Sequence, residues 1–149
     1  MLKFLNISIR NFKSYGNIEE SFNFDDFNSC LITGKNGSGK SCIYHALIYV
    51  LYNKVDSKID STINNINNKQ LEITLTFINS NGNIIKVIRG RKPTRFDVYL
   101  NDSDKPLENI TQTIFEESYL QLPYLIFKQI VYFNVRDFDS FIDLSPTSK

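Results

Sequence analysis

Apolar and polar positions alternate over residues 2–12, with Leu2, Phe4, Ile7 and Ile9 set against Lys3, Ser8 and Arg10, and this period of two predicts a strand. A turn at Tyr15-Gly16-Asn17 leads into a second strand at 18–24. The short apolar run Cys30-Leu31-Ile32-Thr33 reads as a buried strand. The period then changes: Ile43, Ala46, Leu47, Val50 and Leu51 fall at i, i+3, i+4, i+7 and i+8, which predicts a helix from Lys40 to Tyr52. Residues 53–69 are polar, with the doublets Asn64-Asn65 and Asn67-Asn68, and read as loop or irregular helix without chemistry. Strict alternation returns at Leu71, Ile73, Leu75 and Phe77. Ser80-Asn81-Gly82-Asn83 signals a hairpin, residues 84–89 return antiparallel, and Phe96, Val98 and Leu100 make the third strand of a meander. Residues 107–120 turn helical, with Ile110, Ile114 and Phe115 on one side, until Pro123 ends the pattern. The apolar stretch 124–133 reads as a short helix end followed by a buried strand from Gln129, and a last short helix is expected near 138–144. No internal repeat is present. The order predicts an α/β protein with a mixed sheet, an antiparallel meander beside an α/β core, and not a repeated βαβ winding.

The segment between the strand at 30–33 and the helix carries the chemistry. Gly34-Lys35-Asn36-Gly37-Ser38-Gly39-Lys40-Ser41 matches G-x-x-x-x-G-K-[ST], the phosphate-binding loop of nucleotide triphosphatases. Glycines let the backbone curl so that successive N–H groups point at a β-phosphate. Lys40 places a charge on the β- and γ-phosphates, the Ser41 hydroxyl ligates Mg²⁺, and the helix offers the same anion its N-terminal donors. A Gly-rich turn can fit the pattern by chance, but the strand before it and the helix after it argue for a bound nucleotide.

At 149 residues the chain is expected to be a single domain, 1–149, and its 42% hydrophobic and 22% charged content is ordinary for a globular protein. A net charge of +1 leaves a nucleic-acid partner open, since a local patch can hide in a neutral total. The two cysteines, Cys30 and Cys42, are too few for a disulfide framework and suit reduced thiols in a cytoplasmic protein. No apolar run approaches membrane-spanning length.

The hydrolytic half of such a site is not found. An apolar strand ending in Asp, with Glu beside it, is needed to support Mg²⁺ and activate water. Ile130-Val131-Tyr132-Phe133 ends in Asn134, and Glu116 and Glu117 lie on an expected solvated helix face.

Leu5-x-Ile7-x-Ile9-x-Asn11-Phe12-Lys13-Ser14-Tyr15, followed by a strand and then by Ile32 to Ser41, resembles the start of the SMC-type ABC ATPases, which include SbcC, RecF and the Rad-fifty repair proteins. Heads in that group are split, with the phosphate loop in an N-terminal lobe and the signature and catalytic carboxylates in a C-terminal lobe beyond a coiled coil. The chain is similar to the N-terminal lobe alone, end to end. The run from Phe127 to Leu144 is most similar to the ATPase subunits of T-even-type phage recombination nucleases.

The resemblance implies ATP and Mg²⁺ as ligands, with Gly34 and residues Asn36, Gly37, Ser38, Gly39, Lys40, Ser41 and Cys42 around the phosphates. It implies Lys13 and Ser14 near the base, ribose or phosphates, where a plain surface turn is the other reading. The group's Mg²⁺-contacting glutamine falls on Val135 here, so Asn134 or Gln129 would substitute, or the contact is dispensed with. Implied partners are a C-terminal lobe in cis or trans, a second head sandwiching ATP in a homodimer, a nuclease subunit and double-stranded DNA, in the cytoplasm (the host's if phage-encoded) and without a membrane.

A DNA contact also has a reading from the residues: Lys86, Arg89, Arg91, Lys92 and Arg95 concentrate charge on and beyond the hairpin. A charged sheet edge that resists aggregation is the competing account. His45, alone on the helix, is read as a packing or surface residue. The expected function is the ATP-binding half of an SMC-like DNA recombination and double-strand-break repair ATPase. The rivals are a small stand-alone P-loop kinase, which needs a lid and a catalytic acid not found here, and a nucleotide-binding interaction module.

Overall fold

The computed structural model describes residues 2–25, 31–55, 62–64, 66–67 and 69–130. Its strands are β1 (Lys3–Arg10), β2 (Glu20–Asn23), β3 (Leu71–Ile78), β4 (Ile84–Arg91) and β5 (Arg95–Leu100). They form one sheet in the order β2-β1-β3-β4-β5, every neighbouring pair antiparallel. The register follows from parity. Ile7 opposes Leu75, Ile9 opposes Ile73, Leu75 opposes Val87 and Val87 opposes Val98, so all of these point to one face and are fully buried. Each such side chain contributes about 1.5–3 kcal/mol through burial.

Helix α1 (Lys40–Tyr52) packs on that face against β3 and β4, burying Ile43, Ala46, Tyr49 and Val50. Its bounds are those the apolar spacing predicts. The alternation in β1 slips between Phe4 and Ile7, three residues apart, and a bulge between Phe4 and Asn6 absorbs the slip. Phe4 thereby opposes Phe77, and their rings meet edge to face at 6.4 Å.

Three expectations are corrected. The buried strand at 30–33 does not form: Cys30 lies outside the described residues, while Leu31, 86% exposed, and Ile32 pair with no strand among those described. The helix expected over 107–120 begins only at α2 (Gln112–Ile114), where the Thr111 hydroxyl accepts from the Ile114 N–H, and continues as a π-helical turn over Phe115–Leu120. In the π register residues five apart share a face. Phe115 and Leu120 are therefore both buried, Gln121 N–H reaches Glu116 O at 2.8 Å, and Ile114 is left exposed. Finally, Gln129 opens no strand. It lies exposed within helix α3 (Tyr124–Ile130), whose Phe127 reaches the core. The expected helix near 138–144 lies outside the described residues. No helix among those described is long and apolar enough to cross a membrane.

Candidate functional site

The segment 34–39 curls as a phosphate loop must. Gly37 and Gly39 take φ of +82° and +90°, values that favour glycine, and Ser38 N–H turns back to Lys35 O at 3.2 Å. Gly39 caps α1, so the N–H groups of Lys40 and Ser41 begin the helix with no intrahelical acceptor. The Lys40 ammonium bridges the mouth, donating to Gly34 O and Lys35 O, both at 2.7 Å. The Ser41 side chain stands exposed on the first turn.

A second turn leans on this loop. Ser14 Oγ lies 3.4 Å from Cys42 Sγ, and Tyr15 Oη donates to Gly39 O at 3.4 Å. A Cβ added to Gly39 would come within 2.9 Å of Ser14 Oγ, the end of a short side chain, so it is the φ of +90° that requires glycine here, and the contact shows how closely the turn approaches. Burial, with help from Glu20 and Cys42, raises the Tyr15 phenol above its ordinary value and keeps it neutral. The fold thus joins Ser14 and Tyr15 to the loop and its helix across 20-odd residues of chain. The curled backbone, the open helix N-terminus and a cradle that a side chain would fill all fit a bound triphosphate, and Ser41 fits one ligand position of its Mg²⁺. No group of three or more His, Cys, Asp or Glu side chains that could hold a metal occurs among the described residues.

The far end of α1 is anchored as firmly as the near end. Asn53 N–H donates to Tyr49 O at 2.9 Å, Arg89 Nε to Val50 O at 3.0 Å and Gln112 Nε2 to Leu51 O at 2.8 Å. These satisfy carbonyls that the helix itself leaves open, and the guanidinium meets the negative end of the dipole.

This placement corrects the basic patch. Arg89, only 5% exposed, also donates to Gln112 Oε1 at 2.6 Å and lies 4.0 Å over the Phe96 ring. Burial lowers its pKa to about 10, the nearby Tyr49 and Glu116 opposing. It is not a surface DNA contact. Arg95 is bound to Asp97 and, at 3.0 Å, to Glu72, which offsets its charge and raises its pKa. Arg91 and Lys92 stand at the end of β4, half-buried and exposed, each engaged in an interaction within the protein. Lys86 lies exposed on the sheet's outer face with its ammonium 5.6 Å from the Tyr99 ring. Gln129 sits on the surface of α3, and Asn134 lies outside the described residues. The carboxylate of Glu116 accepts from Gln112 Nε2 at 2.6 Å, a structural partner in place of the solvated face expected. Parity alone signalled the fate of Arg89, since 85, 87 and 89 share the inner face of β4. Nothing local signalled Asn64, whose amide reaches Lys13 O at 2.9 Å across 51 residues.

The chain is 29% identical to Exonuclease subunit 2 of Enterobacteria phage T4 over 148 residues, covering 96% of the chain and 26% of the phage protein. It is 28% identical to the DNA double-strand break repair Rad50 ATPase of Methanocaldococcus jannaschii, covering 96% of the chain and 14% of the relative. It therefore spans about a quarter or less of the length of these curated relatives. Among solved structures, an SMC ATPase studied for ATP-driven dimerization and DNA-stimulated activation superposes with a TM-score of 0.60 at 20% identity, covering 97% of this chain and 93% of that one. The Smc head domain of Pyrococcus furiosus, solved with the C-terminal domain of ScpA, gives 0.58 at 24% identity over 78% of this chain and 32% of its own. The fold is that of P-loop SMC ATPase heads. Residues 6–149 match the AAA domain family AAA_23, and by that match across nearly its whole length the chain belongs to this nucleotide-binding family.

Proposed function

We propose that the chain is the N-terminal, ATP-binding lobe of an SMC-like ATPase of DNA recombination and double-strand-break repair. The observation that carries this is the contact of two turns far apart in sequence, the curled loop at 34–39 and the Lys13–Ser14 turn, in a chain similar to a phage exonuclease subunit and a Rad50 ATPase. In this reading the N–H groups from Asn36 to Cys42 and the Lys40 ammonium bind and orient the triphosphate. Lys40 exchanges its loop carbonyls for phosphate oxygens, and Ser41 would be a ligand of Mg²⁺, which would supply neutralising charge to the triphosphate. Gly37 and Gly39 hold the loop in its curl, and Lys13 and Ser14 close its side.

No water-activating carboxylate accompanies these groups among the described residues, so the reading assigns that role to a C-terminal lobe, in cis or in trans, and to a second head closing over the same nucleotide. A nuclease subunit and double-stranded DNA complete the assembly. Lys86, Arg91 and Lys92 are the residues of the basic patch that this reading offers to DNA phosphates.

Thermal unfolding with Mg-ATP tests the site. At a hundredfold excess over Kd, linkage supplies about 2.7 kcal/mol, a midpoint rise of roughly 5–10 °C. The rise is expected for the wild-type chain and not for Lys40→Ala. Equal responses remove Lys40 from the site, and rapid turnover by the chain alone contradicts the division of labour.

A further inference from the structure

We infer that Asn64, in the Asn-rich segment after α1, is a positioning residue of the nucleotide site, holding the Lys13–Ser14 turn against the phosphate loop. The inference rests on the nucleotide reading above and names a residue that acts on the site without touching it.

The geometry is a clamp. The Asn64 N–H donates to Asn11 O at 2.9 Å and its Nδ2 to Lys13 O at 2.9 Å, while Lys13 N–H donates to Thr62 O at 2.6 Å. Between these bonds Phe12 bridges to Ile63, and its buried ring stacks on Tyr49 of α1 at 5.8 Å. A rim supports the clamp. Asn67 Nδ2 donates to Asn11 Oδ1 at 2.7 Å, and Asn11 Nδ2 donates to Asn17 Oδ1 at 3.1 Å. Asn64 Oδ1 in turn accepts from the N–H groups of Ile66 and Asn67 at 3.0 and 3.3 Å, which shapes its own loop.

The clamp is needed because the turn is strained. Asn11 and Lys13 hold φ of +51° and +50°, a left-handed backbone that asparagine tolerates and lysine avoids. Such a conformation persists only where its surroundings over-determine it. Precision matters at its end, since Ser14 Oγ packs so close on Gly39 that it stands 2.9 Å from where a Cβ would sit. Release of the turn moves Lys13 and Ser14 away from the loop and uncovers Cys42.

Asn64→Asp isolates the positioning bond. It keeps the Oδ acceptor that Ile66 and Asn67 use and replaces the donor to Lys13 O with a carboxylate oxygen. In the full chain, Mg-ATP affinity is expected to fall about tenfold, as the loss of one buried hydrogen bond implies. Combined with Ser14→Ala it is expected to cost no more than the larger single change, because both act through one turn. Alkylation of Cys42 by iodoacetamide without nucleotide, in a Cys30→Ser background, is expected to accelerate. Asn67→Ala, a half-buried change at the rim, gives the same directions should the Asn64 variant fail to fold. A lowered thermal midpoint with unchanged affinity and unchanged Cys42 reactivity overturns the inference and leaves the nucleotide reading standing. Failure of the wild-type chain to bind Mg-ATP overturns both.

Discussion

Arg89 Nε donates to the Val50 carbonyl at 3.0 Å, so a residue of the meander caps the helix whose other end forms the phosphate loop. The helix has no basic residue in its own last turn, and β4 supplies one from outside. Arg89→Ala leaves Val50 O and Gln112 Oε1 short of a donor and opens a cavity beside Phe96. It is expected to cost roughly 2–4 kcal/mol in urea unfolding. Arg89→Lys is expected to recover less than half of this, because an ammonium cannot bridge both oxygens while lying flat on the ring.

The two glycines flanking the loop are expected to behave differently. At Gly39 the φ of +90° opposes a side chain, so Gly39→Ala costs about 1–2 kcal/mol and abolishes the Mg-ATP midpoint shift. Gly34 has no such φ, and the one tight neighbour of a Cβ there is Ser38 Oγ at 2.7 Å, the end of a short side chain able to rotate away. Gly34→Ala therefore retains most of the shift. Thermal scans of both variants with and without Mg-ATP check the contrast.

Tyr52 sets an alkaline limit. Its hydroxyl donates to Leu122 O at 2.8 Å, and burial, with Glu116 nearby, raises its pKa far above the ordinary 10.0. A raised folded-state pKa means that the native chain holds the proton longer than the unfolded one. The stabilisation is complete below pH 10 and is lost as pH climbs toward the folded value. Tyr52→Phe is expected to be about 1 kcal/mol less stable at pH 8, through the lost hydrogen bond, and to decline less steeply above pH 10. Urea midpoints across pH 8–11 for both proteins measure the difference in slope.

Leu31 and Leu75 separate an apolar residue that packs from one that does not. Leu75 is fully buried at the centre of the sheet, and Leu75→Ala is expected to cost about 2–5 kcal/mol. Leu31, 86% exposed, is expected to change the stability of the chain by less than about 0.5 kcal/mol as Leu31→Ser. A large loss for Leu31→Ser shows that residues 30–33 pack against something within the chain.

Much of the fold was legible because it rests on local periods. The alternation of Leu71 to Phe77, the turn at Asn81-Gly82 and the i, i+3, i+4 spacing of Ile43, Ala46 and Leu47 each appear as drawn. The misreadings lie where a local pattern met a non-local environment. Leu31 and Ile32 have strand composition and no neighbouring strand among the described residues. Phe115 and Leu120 share a face only because the helix widens by a residue, and no 3.6-residue template detects that. Arg89 looked like surface charge because its neighbours in sequence are basic, whereas its neighbours in space are helix carbonyls and an aromatic ring.

By itself the sequence determined the parity of the sheet, the extent of α1 and the curled loop at its head, because side-chain direction and glycine φ are properties of a few adjacent residues. Only the tertiary structure decided that an asparagine segment clamps the Lys13 turn, that Tyr15 and Ser14 close on Gly39, and that an arginine of the meander caps the phosphate-loop helix. Each of these joins groups more than 20 residues apart through a few hydrogen bonds or a close approach. Such bonds depend on how the sheet and helix pack, and so leave no period along the chain.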